Sequence, residues 1–265
     1  MKKQKVIGLC KALTCGDFIP AVLEGIYDLL DGIVFVYPER DWNGDVKQNE
    51  VSQPVRKWKQ ENDYVLKIDC LQTEEINQEK QYAFAIDYIC KTYKPDWIFI
   101  FDTDEVWEKV ELKKLFNHAE SCVKQNALYC NMYTYVKSPL YRVEPIEPCK
   151  PCVMVRAIPG LFKGIRGNRT RPGFFAKDTY LHHFSYVRNN VDKVLEKIRL
   201  STLADGFGCV DLKKWIVEKW NLLPSAKNLH TTQTAECFWD HVRVVNEKEI
   251  PEAVRKLEIF QRRVN

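Results

Sequence analysis

At 265 residues, with 45% hydrophobic and 12% aromatic content, the chain has enough apolar mass for one large domain or one and a half, and is not a disordered segment. Its 40 basic and 36 acidic residues leave a formal net charge of +4, too mild to indicate a nucleic-acid partner. The first apolar run is broken by Lys11 and no run reaches about 18 apolar residues, so neither a secretory leader nor a membrane span is expected, and the ten scattered cysteines read as reduced thiols of a cytoplasmic protein.

Taken in chain order, Lys5 to Cys10 is a short apolar run that predicts a buried strand. Asp17 to Leu30 carries Ile19, Val22, Leu23, Ile26 and Leu30 at helical spacing, with Asp17 placed to cap. Gly32 to Tyr37 predicts a second strand and runs into a polar loop, PERDWNGD. Asn62 to Asp69 is read as a third strand, Asn77 to Tyr93 as a second helix, and Trp97 to Phe101 as a fourth strand. Strand, helix, strand, strand, helix, strand is the rhythm of an α/β sheet with mainly parallel strands, flanked by helices.

Beyond Val106 the pattern changes. A helix is expected over 111–124 and an aromatic-rich strand over 127–136; a loop with four prolines follows, then strands over 153–158 and 179–187. Helices are expected over 191–203, 211–221 and 251–262, so residues 1–188 read as the sheet domain and 189–265 as a helical C-terminal region packed on it. Cys149 and Cys152 form the only CxxC. With no second pair nearby they read as two thiols in a loop rather than as a zinc site.

Three stretches carry chemistry. Asp102, Asp104 and Glu105 stand at the end of the fourth strand, and ligands of open α/β sheets bind beyond the carboxyl ends of the strands. In an extended backbone residues i and i+2 point the same way, so Asp102 and Asp104 are expected to converge on one hard cation, Mg²⁺ or Mn²⁺, which offsets their repulsion. The plainer reading is a solvated acidic turn capping the next helix. The string DTDEV also fits the D-x-D-x-[TV] motif of haloacid-dehalogenase-type phosphatases, with Asp102 as nucleophile; there, however, the motif closes the first strand. The second stretch, residues 159–171, interleaves Lys163, Arg166, Arg169 and Arg171 with three glycines, a composition that suits a diphosphate or an acceptor and equally an exposed basic loop. The third, LHHFSYVR, has adjacent histidines that face opposite sides of a strand. One of them at most serves a given site, and His183 is the candidate ligand.

The first hundred residues, ending in IFIFDTDEVW, together with HFSYVR and the helix after it, resemble a GT-A-fold glycosyltransferase of the family-2-like group found in bacteria, phages and large viruses. The resemblance covers residues 5–110 and 175–200. It implies a metal-dependent transfer of a sugar from a nucleoside-diphosphate sugar (UDP- or GDP-linked) to a hydroxyl of a glycan, lipid or protein, with inversion. It also implies that Asp102, Asp104 and His183 hold Mn²⁺ or Mg²⁺ against the donor's diphosphate. The loop from Ala12 to Asp17, with Glu39 and Asp41, would hold the nucleoside, and Lys163 and Arg166 would cover the phosphates. An inverting transfer needs a general base, for which Asp178 and Glu105 are both candidates; Glu105 equally suits a helix cap.

Overall fold

The apolar runs at 6–10, 32–36 and 97–101 become parallel strands buried on both faces, as a sheet covered on two sides allows, while the parallel strand at 68–73 is only partly buried. The computed structural model describes residues 4–12, 14–38, 49–75, 77–122, 124–146, 148–159, 173–188, 190–205, 211–229 and 239–264. In chain order they form β1 (Val6–Lys11), α1 (Ile19–Ile26), β2 (Gly32–Pro38), α2 (Ser52–Asn62), β3 (Ile68–Thr73), α3 (Gln78–Tyr93), β4 (Trp97–Phe101) and β5 (Glu105–Val106). Then come α4 (Lys109–Ser121), β6 (Ala127–Val136), β7 (Tyr141–Glu144), β8 (Cys152–Arg156) and β9 (Phe174–Tyr186). The remainder is α5 (Val191–Asp205), α6 (Leu212–Trp215), β10 (His241–Val244), α7 (Glu252–Arg255) and α8 (Glu258–Val264). None of the described helices is long and apolar enough to cross a membrane.

The chain divides into two compact units, residues 1–131 with 150–181, and residues 132–149 with 182–265. This differs from a linear cut after residue 188. β7, in the proline-rich segment expected to be a loop, pairs antiparallel with β10, in the region expected to be all helical, and carries 132–149 into the second unit. The strands β6 and β9 each contribute residues to both units.

In the first unit the strand order is β6-β8-β4-β1-β2-β3. β1 pairs in parallel with both β2 and β4, β2 pairs in parallel with β3, and β8 runs antiparallel between β4 and β6. One face of the sheet packs Tyr82, Ala85, Ile86 and Ile89 of α3 against Ile7, Leu9, Val34, Ile98 and Ile100. α3 starts where the Asn77 side chain accepts from the Glu79 and Lys80 N–H groups, and ends at Lys94 in the left-handed conformation.

Two expectations fail between β2 and β3. The helix α2 has no counterpart in the sequence reading, because it is mostly polar and buries only Val55. With it the alternation becomes β-α-β-α-β-α-β, more regular than expected. The strand expected over 62–69 begins only at Ile68. Its apolar residues Tyr64, Val65 and Leu66 are 85%, 67% and 76% exposed, on a turn held from below by the buried Asp63. The Asp63 carboxylate accepts from Lys67 N–H, Ile68 N–H and the Tyr27 hydroxyl, and Leu66 takes a positive φ of 54°. β-forming composition misleads here because the turn's hydrogen bonds come from one acid outside the apolar run.

In the second unit β7 joins β6 to β10 in an antiparallel arrangement. Its core gathers Val143, Val194, Ile198, Trp215, Trp220 and Trp239. The predicted helix 211–221 is α6 continued by a π-helical turn over Ile216–Trp220, and the predicted helix 251–262 is broken into α7 and α8.

Candidate active site at the carboxyl edge of the sheet

The register sets Cys10 beside Phe35 on one side and Phe101 on the other, so β1 and β4 end within a residue of each other and β2 runs two residues further. β4 is fully buried along its length and delivers Asp102 to that edge. The next four residues are not an extension of the strand. Glu105 N–H donates to Asp102 C=O at 3.2 Å, closing a turn, and the Glu105 carboxylate accepts from Asp102 N–H at 3.1 Å. The pleat argument for convergence of Asp102 and Asp104 therefore does not apply, since it needs an extended backbone. The turn, and not the pleat, sets where the two carboxylates stand. Asp102 is half-buried; Thr103, Asp104 and Glu105 are 6%, 3% and 2% exposed.

Thr103, between the two aspartates, finds a partner in another segment. Its hydroxyl donates to Thr14 C=O at 2.7 Å, in the loop after β1. That loop is held from its other side by the segment before α2. Asn49 Nδ2 donates to Ala12 C=O at 2.7 Å, and Glu50 Oε2 accepts from Cys15 N–H at 3.2 Å. Cys15 has a positive φ of 70°, and Gly16 lies so close to the Glu50 carbonyl that a Cβ would sit 2.2 Å from it, leaving room for glycine alone. Ala12 N–H donates to Val36 C=O at 2.9 Å, so both main-chain groups of Ala12 take part in the fold. Thr14 lies within the loop expected at the site, whereas Asn49 and Glu50 belong to no segment expected there. Their signal was slight: Asn49 accepts from Val51 and Ser52 N–H at the start of a helix that the reading did not contain.

Asp178 lies on β9, exposed, with its Oδ1 2.8 Å from His118 Nε2 on α4. That hydrogen bond is the main reason its carboxyl sits below the ordinary value of 3.8. Glu111 and Lys114 on the same face of α4 also reach β9, Glu111 through Tyr180 N–H at 2.9 Å and Lys114 through Asp178 C=O at 3.3 Å. The stripe Glu111, Lys114, His118 thus fastens helix to strand.

The two histidines of β9 differ in burial. His182 is 5% exposed in the second unit, stacked on Tyr135 and Phe184, its Nδ1 2.9 Å from the Tyr135 hydroxyl. Burial, with a smaller contribution from the nearby Arg142 cation, pushes its pKa down to about 3. It is a core residue. His183 is half-buried and also belongs to the second unit, whereas Asp102 and Asp104 belong to the first. The aromatic-rich strand β6 is largely core, with Tyr135 fully buried and Tyr133 under the Arg142 guanidinium at 4.4 Å. Glu39, Asp41, Lys163 and Arg166 lie outside the described residues.

Among the described residues no group of three or more His, Cys, Asp or Glu side chains is gathered to hold a metal ion, and no disulfide joins the described cysteines. Magnesium and manganese sites built on a nucleoside diphosphate need fewer protein ligands, because one or two carboxylates suffice where phosphate oxygens and water complete the shell. The acid pair on the Asp102–Glu105 turn fits that sparser type. The D-x-D string closes β4, not the first strand, so the position expected of a haloacid-dehalogenase-type phosphatase is not met.

No protein-family model and no curated protein sequence matches the chain. Among solved structures it is similar to S. aureus TarS 1-349, at 15% identity and a TM-score of 0.44, over 82% of this chain and 70% of that one. It covers 43% of the longer S. aureus TarS chain, at 14% identity and a TM-score of 0.44. It is also similar to 4-diphosphocytidyl-2C-methyl-D-erythritol synthase from Anaerococcus prevotii, at 9% identity and a TM-score of 0.45, over 74% of this chain and 97% of that one.

Proposed function

We propose that the chain is a metal-dependent glycosyltransferase that moves a sugar, with inversion, from a UDP- or GDP-linked donor to a hydroxyl of a glycan, lipid or protein. The observation that carries this reading is the acidic turn Asp102–Glu105 at the carboxyl end of β4, tied to the loop after β1 in a parallel β-α-β-α-β-α-β half. Asp102 and Asp104 would hold Mn²⁺ or Mg²⁺ beside the donor's diphosphate. The cation, when bound, would supply Lewis-acid stabilisation of the departing nucleoside diphosphate. The loop from residue 12 to 17 would face the nucleoside, with Glu39 and Asp41 from the next strand end, and Lys163 and Arg166 would approach the phosphates.

For the proton of the acceptor hydroxyl the two candidates now differ. Glu105 is buried and committed to the Asp102 N–H, which suits a clasp of the turn. Asp178 is the exposed one, and the lowering of its pKa by His118 keeps it ionised and ready to accept, at the cost of basicity. We assign Glu105 to the turn and retain Asp178 as the base.

The test is metal-dependent hydrolysis of nucleotide sugars, measured as released nucleoside diphosphate. Slow turnover with Mn²⁺ that disappears in Asp104→Ala and under chelation is expected. Binding without turnover would mark a binding module, and turnover of a simple phosphate ester would mark a phosphatase instead.

A further inference from the structure

We infer that Thr103, the middle residue of the acidic turn, is a positioning residue that couples cation binding to nucleotide binding. This rests on the glycosyltransferase reading and deepens it. Ladder pairing reaches the far end of the turn, where Glu105 opens β5 beside β9, and the near end of the loop, where Ala12 N–H meets Val36 C=O, and Thr103 lies between strands. The turn follows β4 and the loop of residues 12–17 follows β1, and a direct side-chain link between them is the Thr103 hydroxyl on Thr14 C=O at 2.7 Å. The link is short, and its donor is 6% exposed, so water does not compete with it freely.

The anchoring on each side makes the link directional. On the turn, the reciprocal bonds between Asp102 and Glu105 fix the backbone, so moving Thr103 moves Asp102 and Asp104 with it. On the loop, Glu50 holds Cys15 N–H and Asn49 holds Ala12 C=O, on either side of Thr14. A cation that draws Asp102 and Asp104 into place therefore sets the Thr14 carbonyl through Thr103, and with it the loop that would receive the nucleoside. A nucleotide seated on that loop sets the acids in return, since coupling of two binding free energies is reciprocal. Valine has the shape of threonine and lacks the hydroxyl, so Thr103→Val removes the link and little else; Thr103→Ser keeps it.

The experiment is a binding cycle by calorimetry with UDP and GDP, each with and without Mn²⁺, on the wild-type chain, Thr103→Val and Thr103→Ser. The coupling factor is the ratio of nucleotide affinities with and without the cation. Thr103→Val should lower this factor about three- to tenfold, the scale of one neutral hydrogen bond, and Thr103→Ser should restore it. A wild-type factor in Thr103→Val overturns the proposal, as does an equal loss in Val and Ser, which would assign the effect to packing. Should Thr103→Val not fold, Thr103→Ala is read in the same cycle. A wild-type chain that binds neither nucleotide in either condition refutes the glycosyltransferase reading itself, and this proposal with it; coupled binding in the wild type keeps that reading whatever the variants do.

Discussion

Glu105 and Asp102 hold each other twice: the Glu105 carboxylate accepts from Asp102 N–H at 3.1 Å, and Glu105 N–H donates to Asp102 C=O at 3.2 Å. Three acids in four residues repel, and this pairing turns one of them into a clasp for the other two. Glu105→Ala removes the acceptor and should destabilise the chain by about 1–3 kcal/mol, the cost of an unmet hydrogen bond to a charged group. Glu105→Gln keeps an acceptor oxygen and should cost under about 1 kcal/mol. Urea denaturation of both variants separates the clasp from a purely chemical role, in which neither variant would lose stability.

His182 sets a pH dependence. Its folded pKa lies near 3 and its ordinary value is 6.5, so between the two the unfolded chain binds a proton that the folded chain refuses. Stability is then complete above about pH 6.5 and falls as pH drops, by up to about 1.4 kcal/mol per pH unit from this one group. Denaturation curves against pH should show that acid limb, and His182→Gln, which can still face the Tyr135 hydroxyl, should flatten it. An unchanged slope would place the cause elsewhere.

Leu66 is an apolar, 76% exposed residue at φ 54°, where side chains with a Cβ are strained. Leu66→Asn should therefore stabilise the chain, by about 0.5–1 kcal/mol, because asparagine tolerates this conformation. The midpoint of urea unfolding is the measurement; a lower midpoint would show that Leu66 makes contacts worth more than the strain.

Asp178 and His118 form a hydrogen-bonded contact at the surface. Mutation of His118 to Ala should move the Asp178 carboxyl back up toward 3.8, readable by NMR titration. Because the folded carboxyl is depressed, its contribution to stability is present above the unfolded value and is lost as pH falls through the folded one. The pair is exposed, so that contribution is small.

What the sequence made legible follows from how each element is stabilised. β4 at 97–101 and β6 at 127–136 lie where their apolar runs place them, because continuous burial leaves a continuous signal. α2 escaped because one buried valine among charged residues gives no stripe, and Tyr64 to Leu66 were taken into a strand because the Asp63 clamp lies outside the pattern. β7 and β10 escaped because each is four residues long and is fixed by a partner distant in sequence. At the site the acids were legible and a turn was one of the two readings, but the bonds that bury and shape that turn were not. The turn depends on Glu105 reaching back three residues and on Thr103 crossing to Thr14, and neither leaves a periodic trace.

The central claim is that the acidic turn serves a cation and a nucleotide sugar together. The most direct measurement is thermal unfolding of the wild-type chain and Asp104→Asn against a panel of UDP- and GDP-sugars, each with Mn²⁺, with Mg²⁺ and with chelator. The account predicts a rise in Tm for at least one donor that requires the divalent cation and is absent in Asp104→Asn. No shift with any donor, or one equal in chelator and unchanged in Asp104→Asn, would contradict it.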